Sequence, residues 1–265
     1  MTASLTRPVI VSRLRAAGCV FAEDEARLIL ATAATADDVS AMVERRAAGL
    51  PLEHVLGRAE FCGLRVAVDP GVFVPRRRTE FLVRHAAALM PPRPVVVDLC
   101  CGSGALGAAL VSGPPLHGRD GFTLHAADVD PAAVRCARRN VVPLGGHVHE
   151  GDLFGPLPDG LRGTVDVLLA NVPYVPAAEV ELLPAEARLH EPRVALDGGT
   201  DGLDVLRRVT AEAAAWLAPG GRLLFETGDR QVPAAVAAVE RGGLTATVTV
   251  SEEFHATVVT GTKPV

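Results

Sequence analysis

Apolar residues recur at helical spacing through 7–17, 22–34 and 37–48, and acidic residues gather near two of the starts, Glu23-Asp24-Glu25 and Asp37-Asp38. A short amphipathic stretch follows at 51–56. Residues 61–74, with Asp69-Pro70-Gly71 inside them, predict a hairpin that joins two parts of the chain. From about residue 75 onward short apolar runs alternate with helical patterns, which predicts a parallel sheet covered on both faces. The runs 244–250 and 256–260 are close in sequence, so they are expected to pair antiparallel at the end of that sheet. The expected organisation is a helical unit over 1–60, a hairpin linker over 61–75 and an α/β domain over 76–265. The Pro/Gly-rich stretches 112–121 and 155–163 read as surface loops.

Within the α/β part, 95–107 reads as a buried strand, a glycine turn (Cys100-Cys101-Gly102-Ser103-Gly104) and the start of a helix. Glycines there permit positive φ and close approach of a ligand to the backbone. No Lys-Ser/Thr pair follows, so the turn is not a phosphate-binding P-loop. A second strand, 122–127, ends in Asp128-Val129-Asp130-Pro131. An acidic residue at that place can bind both ribose hydroxyls of an adenosine. Asp128 is the candidate, because Asp130 directly precedes Pro131 and suits a helix cap; capping by both aspartates is the plainer alternative. Gly102, Gly104 and Gly107 also fit the dinucleotide spacing, so a nicotinamide cofactor stays open on the glycines alone. Three features favour S-adenosylmethionine instead. Asp98, on the strand before the turn, would repel a pyrophosphate but suit a cation. Gly151-Asp152-Leu153-Phe154, after a third strand, places a carboxylate where an adenine amino group could donate. The third feature is the turn after the fourth strand.

That turn contains the only tyrosine of the chain, in Asn171-Val172-Pro173-Tyr174. An Asn leaving a buried strand, a Pro-stiffened turn and an aromatic ring can grip a planar amide-type nitrogen. The Asn carbonyl and a turn carbonyl accept two N–H bonds, and the ring lies on the plane. An ordinary strand-to-loop turn uses the same residue types.

With these residues in view, the chain resembles the class I S-adenosylmethionine-dependent methyltransferases. Among them it is similar to the protein-(glutamine-N5) methyltransferases of peptide chain release factors. The resemblance extends to Gly49-Leu50-Pro51-Leu52-Glu53-His54-Val55-Leu56-Gly57-Arg58-Ala59-Glu60-Phe61, to Phe73-Val74-Pro75-Arg76-Arg77-Arg78-Thr79-Glu80 beside a Pro-Arg-Pro-x-Thr-Glu signature, and to Glu191-Pro192-Arg193-Val194-Ala195-Leu196-Asp197-Gly198-Gly199 followed by Asp201-Gly202-Leu203. It covers the chain from about residue 40 onward; the first forty residues match only in helical character. It implies a Rossmann-like α/β fold with a seven-stranded, mostly parallel sheet, preceded by a small helical substrate-docking domain. It also implies S-adenosyl-L-methionine as cofactor and a release factor as protein substrate. Cofactor contacts are expected at Asp98, Cys100, Gly102, Gly104, Asp128, Asp152, Leu153 and Asn171. The chemistry is expected at Asn171, Val172, Pro173 and Tyr174. Three positions depart from the family pattern. Val172 stands for the first Pro of Asn-Pro-Pro-Tyr, Cys100 for the first cofactor glycine and Arg77 for the second Pro of Pro-Arg-Pro. Val172 keeps its carbonyl but loses the locked φ and gains an N–H.

Composition narrows the alternatives. The chain has 265 residues, is 49% hydrophobic and carries a net charge of −5, with a pI near 5.9. This argues against a general nucleic-acid binder, which would show a basic face. Arg76-Arg77-Arg78 is the only tight basic run and reads as solvated. Five cysteines without C-x-x-C spacing and eight histidines without ligand spacing point to a reduced, cytoplasmic protein with no metal site. A nucleophilic thiol at Cys100 or Cys101 is the lesser reading; small residues lining a glycine turn explain them. His54 and His190 read as hydrogen-bonded surface histidines. No apolar run approaches a membrane span. Two rival functions remain at this level. One is methylation of an exocyclic base amine, and the other a non-catalytic partner of the release factor or ribosome that keeps the fold.

Overall fold

The computed structural model describes residues 5–113 and 121–265; most of the predicted loop 112–121 thus lies outside the described residues. The chain opens with α1 (Arg7–Ala16), α2 (Ala22–Thr32), α3 (Ala36–Ala47) and the short α4 (Leu52–Leu56). The first three lie within two residues of the spans the periodicity predicts. α3 starts at a reciprocal cap: Thr35 Oγ1 accepts from the Asp38 N–H at 3.1 Å, and Asp38 Oδ2 accepts from the Thr35 N–H at 2.9 Å. Ile10, Leu14, Ala22, Ala26, Ile29 and Val43 form the core of this unit. A charged residue crosses that core. Arg46 donates through Nε and Nη2 to Glu25 at 2.6 and 3.0 Å, and through Nη1 to Glu186, far along the chain, at 2.6 Å.

A hairpin follows, β1 (Arg58–Phe61) and β2 (Leu64–Ala67), in antiparallel register from Arg58↔Ala67 to Phe61↔Leu64. This corrects the span predicted from Asp69-Pro70-Gly71. The reversal is made by Cys62 and Gly63, at φ 50° and 77°. Two successive positive φ values give the primed turn whose twist matches the strands. Asp69-Pro70-Gly71 makes a separate turn downstream, closed by Val72 N–H to the Asp69 carbonyl at 3.1 Å.

The remainder is a seven-stranded sheet. In chain order its elements are α5 (Glu80–Leu89), β3 (Val95–Leu99), α6 (Ala105–Ser112), β4 (Thr123–Asp128), α7 (Pro131–Val141), β5 (His147–Glu150), β6 (Val165–Ala170), α8 (Ala185–His190), α9 (Asp204–Trp216), β7 (Leu217–Thr227), α10 (Val232–Arg241), β8 (Thr245–Ser251) and β9 (Ala256–Thr262). The strand order is β5-β4-β3-β6-β7-β9-β8, parallel from β5 to β7, with β9 antiparallel to both its neighbours. The two last strands therefore pair as predicted, but β9 enters between β7 and β8. One face of the sheet packs on α5, α6 and α7 through residues such as Leu82, Leu106 and Val141, and the hairpin adds Phe61 and Val66 there. The other face packs on α9 and α10 through Leu206, Val209, Ala235 and Val239. Trp216 ends α9 fully buried, its ring stacked on Phe154 with centroids 5.3 Å apart.

The Arg46 pair gives a stability test. Its side chain is 8% exposed and that of Glu25 9%, so removing the guanidinium strands a buried carboxylate. We expect Arg46→Ala to destabilise the protein by about 3–5 kcal/mol, measured by urea unfolding followed by circular dichroism. A change below about 1 kcal/mol, the scale of an exposed pair, would mean the ion pair adds nothing beyond its exposed equivalents.

Candidate active site

β3 and β6 are hydrogen-bonded neighbours in register Leu99↔Ala170, so the glycine turn and the Asn171–Tyr174 turn leave the sheet side by side. This is the carboxyl-end crevice where open α/β sheets bind ligands. A cavity of about 950 Å³ opens there. Cys100 and Gly102 line it after β3, Asp128 after β4, Asp152 and Leu153 after β5, and Asn171, Val172, Pro173 and Tyr174 after β6. Nine of the sequence-predicted residues thus meet at one cavity. Asp98 and Gly104 do not face it. Gly104 caps α6 at φ 74°, and a Cβ there would come within 2.7 Å of Val141.

Asp98 is fully buried beneath the turn. Its Oδ2 accepts from the Gly107 N–H at 2.9 Å, and its Oδ1 has no partner. Its place is therefore under the start of α6, supporting the turn from below, a correction to its expected position beside a ligand cation. Burial, with a smaller push from Asp128, raises its carboxyl to about 7 despite the Gly107 bond.

Asp128 stands at the cavity wall and organises the turn. Its Oδ2 accepts from the Gly102 N–H at 2.8 Å and its Oδ1 from the Asp130 N–H at 2.9 Å. Each oxygen retains a lone pair for a ligand hydroxyl. Asp130 caps α7, accepting from the Ala132 N–H at 2.8 Å. Asp152 is paired with Arg208 at 2.5 Å, so a ligand amino group there would share its carboxylate. Cys100 adopts φ 53° and Leu153 φ 47°, values that favour glycine, and both line the cavity. Burial pushes both the Cys100 and Cys101 thiols upward, so neither is poised as a thiolate.

The Asn171–Tyr174 turn is gripped from outside and open within. Val175 N–H bonds to the Leu196 carbonyl at 3.1 Å, and Gly198 N–H to the Val175 carbonyl at 2.8 Å. A Cβ at Gly198 would meet the Pro173 carbonyl at 2.6 Å, so this close approach requires glycine. Gln231 Nε2 donates to the carbonyls of Tyr174 and Asp201, at 2.8 and 2.9 Å. Neither the Asn171 side-chain amide nor the Val172 carbonyl has a hydrogen-bond partner among the described residues. Both acceptors are left for something in the cavity.

Several supports reach between segments distant in sequence. Asn140, on α7, bonds to both the N–H and the carbonyl of Ala67 at 2.9 Å and to the Ser103 carbonyl at 2.8 Å, tying hairpin to glycine turn. Glu191, buried, accepts from the Val74 N–H at 3.2 Å and pairs with Arg76 at 2.5 Å. His54 is buried rather than exposed, with Nε2 2.8 Å from the Val72 carbonyl. Arg76 and Arg78 are each paired with a buried glutamate, a correction to the solvated reading of the arginine run; Arg77 alone is exposed. His125, His147 and His149, far apart by ligand spacing, stack on one face of β4 and β5. Among the described residues no group of three His, Cys, Asp or Glu side chains is arranged to hold a metal ion. Nor is any described helix long and apolar enough to cross a membrane.

Comparison with known proteins agrees with this geometry. Residues 63–200 match the methyltransferase small domain family. Over 204 residues the chain is 39% identical to the release factor glutamine methyltransferase of Geobacter sulfurreducens, covering 76% of this chain and 69% of the relative. The Moorella thermoacetica enzyme of the same name is 39% identical over 234 residues, covering 86% and 75%. Among solved structures, a methyltransferase from Pyrococcus furiosus superposes with a TM-score of 0.56 at 17% identity, over 77% of this chain and 90% of that one. That last likeness shows the fold.

The orphaned Asp98 gives a pH test. Its folded carboxyl is raised above the unfolded value of 3.8 to about 7. Its contribution is therefore fully stabilising below the unfolded value and is lost as pH climbs through the folded one. We expect the melting temperature of Asp98→Asn, relative to the unmodified protein, to improve between about pH 4 and about pH 8. A difference that does not change with pH in thermal-shift measurements would show that Asp98 does not titrate in this range.

Proposed function

The chain belongs to the release factor glutamine methyltransferases, and on that premise we propose how it transfers a methyl group from S-adenosylmethionine to the side-chain amide nitrogen of a glutamine in a release factor. The observation that carries the reading is the pair of free acceptors, Asn171 Oδ1 and the Val172 carbonyl, on residues that line the cavity. An amide nitrogen is a weak nucleophile because its lone pair is delocalised into the carbonyl. Accepting both amide hydrogens turns that lone pair toward the methyl donor and stabilises the positive charge that grows on N–H as it attacks. Tyr174 covers the plane of the amide. Alignment of this kind supplies roughly 7–11 kcal/mol of a barrier, and preorganised acceptors add to it. No general base is needed before transfer: as the methyl–sulfur bond breaks and the thioether S-adenosylhomocysteine departs, the methylated nitrogen gives up one of its two protons to water.

The donor fits the residues present. When bound, it supplies a methyl group already activated on a sulfonium. Asp128 accepts from the ribose hydroxyls, with its carboxylate preset by Gly102. Gly102 leaves the backbone open, since a Cβ there would touch only Phe73, at 3.9 Å. Cys100 and Leu153 line the adenosine side, and Asp152, shared with Arg208, meets the adenine amino group. Val172 serves in place of proline because only its carbonyl is used, and Pro173 still biases it to an extended backbone.

The helical unit over residues 1–60 docks the protein substrate, and the α/β part over 76–265 performs the transfer. Phe21 and Val20, 70% and 81% exposed, mark an apolar spot in the turn between α1 and α2. Leu182 and Leu189, 80% and 62% exposed, mark another beside the cavity. Such faces suit a folded protein better than a phosphate backbone.

Incubation with labelled donor, purified release factor and RNA, followed by peptide mass spectrometry, tests the reading. Methylation of a glutamine side chain is expected; label confined to RNA or to another residue would refute it. Asp128→Ala is expected to weaken cofactor binding by about 1.5–3 kcal/mol, read by calorimetry. Unchanged affinity would exclude its ribose contact. Asn171→Ala is expected to hold cofactor affinity within a few-fold while turnover falls by roughly 10²–10³. Normal turnover at saturating substrate would reduce the turn to a structural element.

A further inference from the structure

Glu226 is a charged residue in an interior strand of the sheet. It sits near the carboxyl end of β7, opposite Val258 of β9, with 2% of its surface exposed. β7 runs parallel to β6, so this end of β7 lies beside the turn in which β6 delivers Tyr174. The Arg78 Nε lies 2.5 Å from the carboxylate, and the Thr79 side chain and the Tyr174 hydroxyl lie within electrostatic reach of it. Both carboxylate oxygens and Arg78 Nε are sealed from solvent without a hydrogen bond of regular geometry. A sealed carboxylate in that condition draws strongly on any hydroxyl donor that can turn toward it. Thr79 is buried. Tyr174 is the donor that also lines the cavity.

The main chain and side chain of Tyr174 are thus held by different partners. Gln231 holds its carbonyl, and the hydroxyl end of the ring is left to Glu226. We infer that Glu226, held in place by Arg78, is a positioning residue for methyl transfer, acting through the Tyr174 hydroxyl to set the tilt of the ring over the substrate amide. The inference rests on reading Asn171–Tyr174 as the amide clamp. A ring free to rock about its χ angles would admit glutamine in several poses, and loss of alignment lowers turnover before it lowers binding. The simpler role for the ion pair is to anchor the turn at Arg77–Thr79 to the sheet. That role predicts a loss of stability with no energetic link to the Tyr174 hydroxyl.

A double-mutant cycle on the full chain, with release factor as substrate, separates the two. Glu226→Gln and Tyr174→Phe are each expected to lower kcat about tenfold with the KM for S-adenosylmethionine unchanged, and the double variant to be lowered about tenfold as well, because both remove one contact. A double variant lowered by the product of the two, about a hundredfold, would overturn the inference. So would a folded Glu226→Gln protein with unchanged kcat. Should Glu226→Gln fail to fold, Arg78→Gln/Glu226→Gln, which strands no buried charge, replaces it in the cycle under the same criteria. Tyr174→Ala keeps the outcomes apart. If it turns over normally, the clamp itself fails; if it is impaired while the cycle is additive, only the tether from Glu226 fails.

Discussion

The site depends on one backbone adjacency, the parallel pairing of β3 with β6. These strands are distant in sequence, yet their last residues, Leu99 and Ala170, are register partners. The loops after β3, β4, β5 and β6 reach the cavity from the same end of that sheet, so one set of ladder hydrogen bonds fixes the spacing between the glycine turn and the Asn171–Tyr174 turn. A slip of one residue in this register would turn the inward side chains of β6 to the opposite face. The two cores hold the register from both sides, Leu168 and Ala170 packing on one face and Val167 and Leu169 on the other.

A second constraint is electrostatic. Three glutamates of low exposure, Glu25, Glu191 and Glu226, each pair with an arginine that arrives from another segment: Arg46, Arg76 and Arg78. An unpaired buried carboxylate is costly, so each pair fixes which segments must meet. The outcome is that the linker around residues 74–79 is stapled at both ends, to the loop after α8 and to β7. The helical unit is fastened to α8 by Arg46 and Glu186.

The local grammar of the chain was legible and its long-range polar ties were not. Amphipathic period, an Asp-Pro cap at 130–131 and the glycine turn at 102–104 are short-range signals, and they located the helices, α7 and the loop after β3. The Asp69-Pro70-Gly71 triplet misled because its turn chemistry is stronger on paper than Cys62-Gly63, whose positive φ at cysteine no propensity announces. Asp98 was placed on the right strand, but its burial under the start of α6 was not legible, since strand alternation says which face a residue takes and not whether a helix start will cover it. Asn140, Gln231 and Glu226 gave no sign, because each acts on a partner more than 50 residues away.

The aromatic composition has an optical consequence. With one tyrosine and one tryptophan in 265 residues, the near-ultraviolet spectrum resolves two named positions. The phenol band belongs wholly to Tyr174 at the cavity, beside a carboxylate that would perturb its absorption. Indole emission belongs wholly to Trp216, which is stacked on Phe154 of the loop after β5 and capped by Arg162 at 4.3 Å. One ring therefore reports on the Asn171–Tyr174 turn and the other on the loop after β5, with no label added and no residue removed.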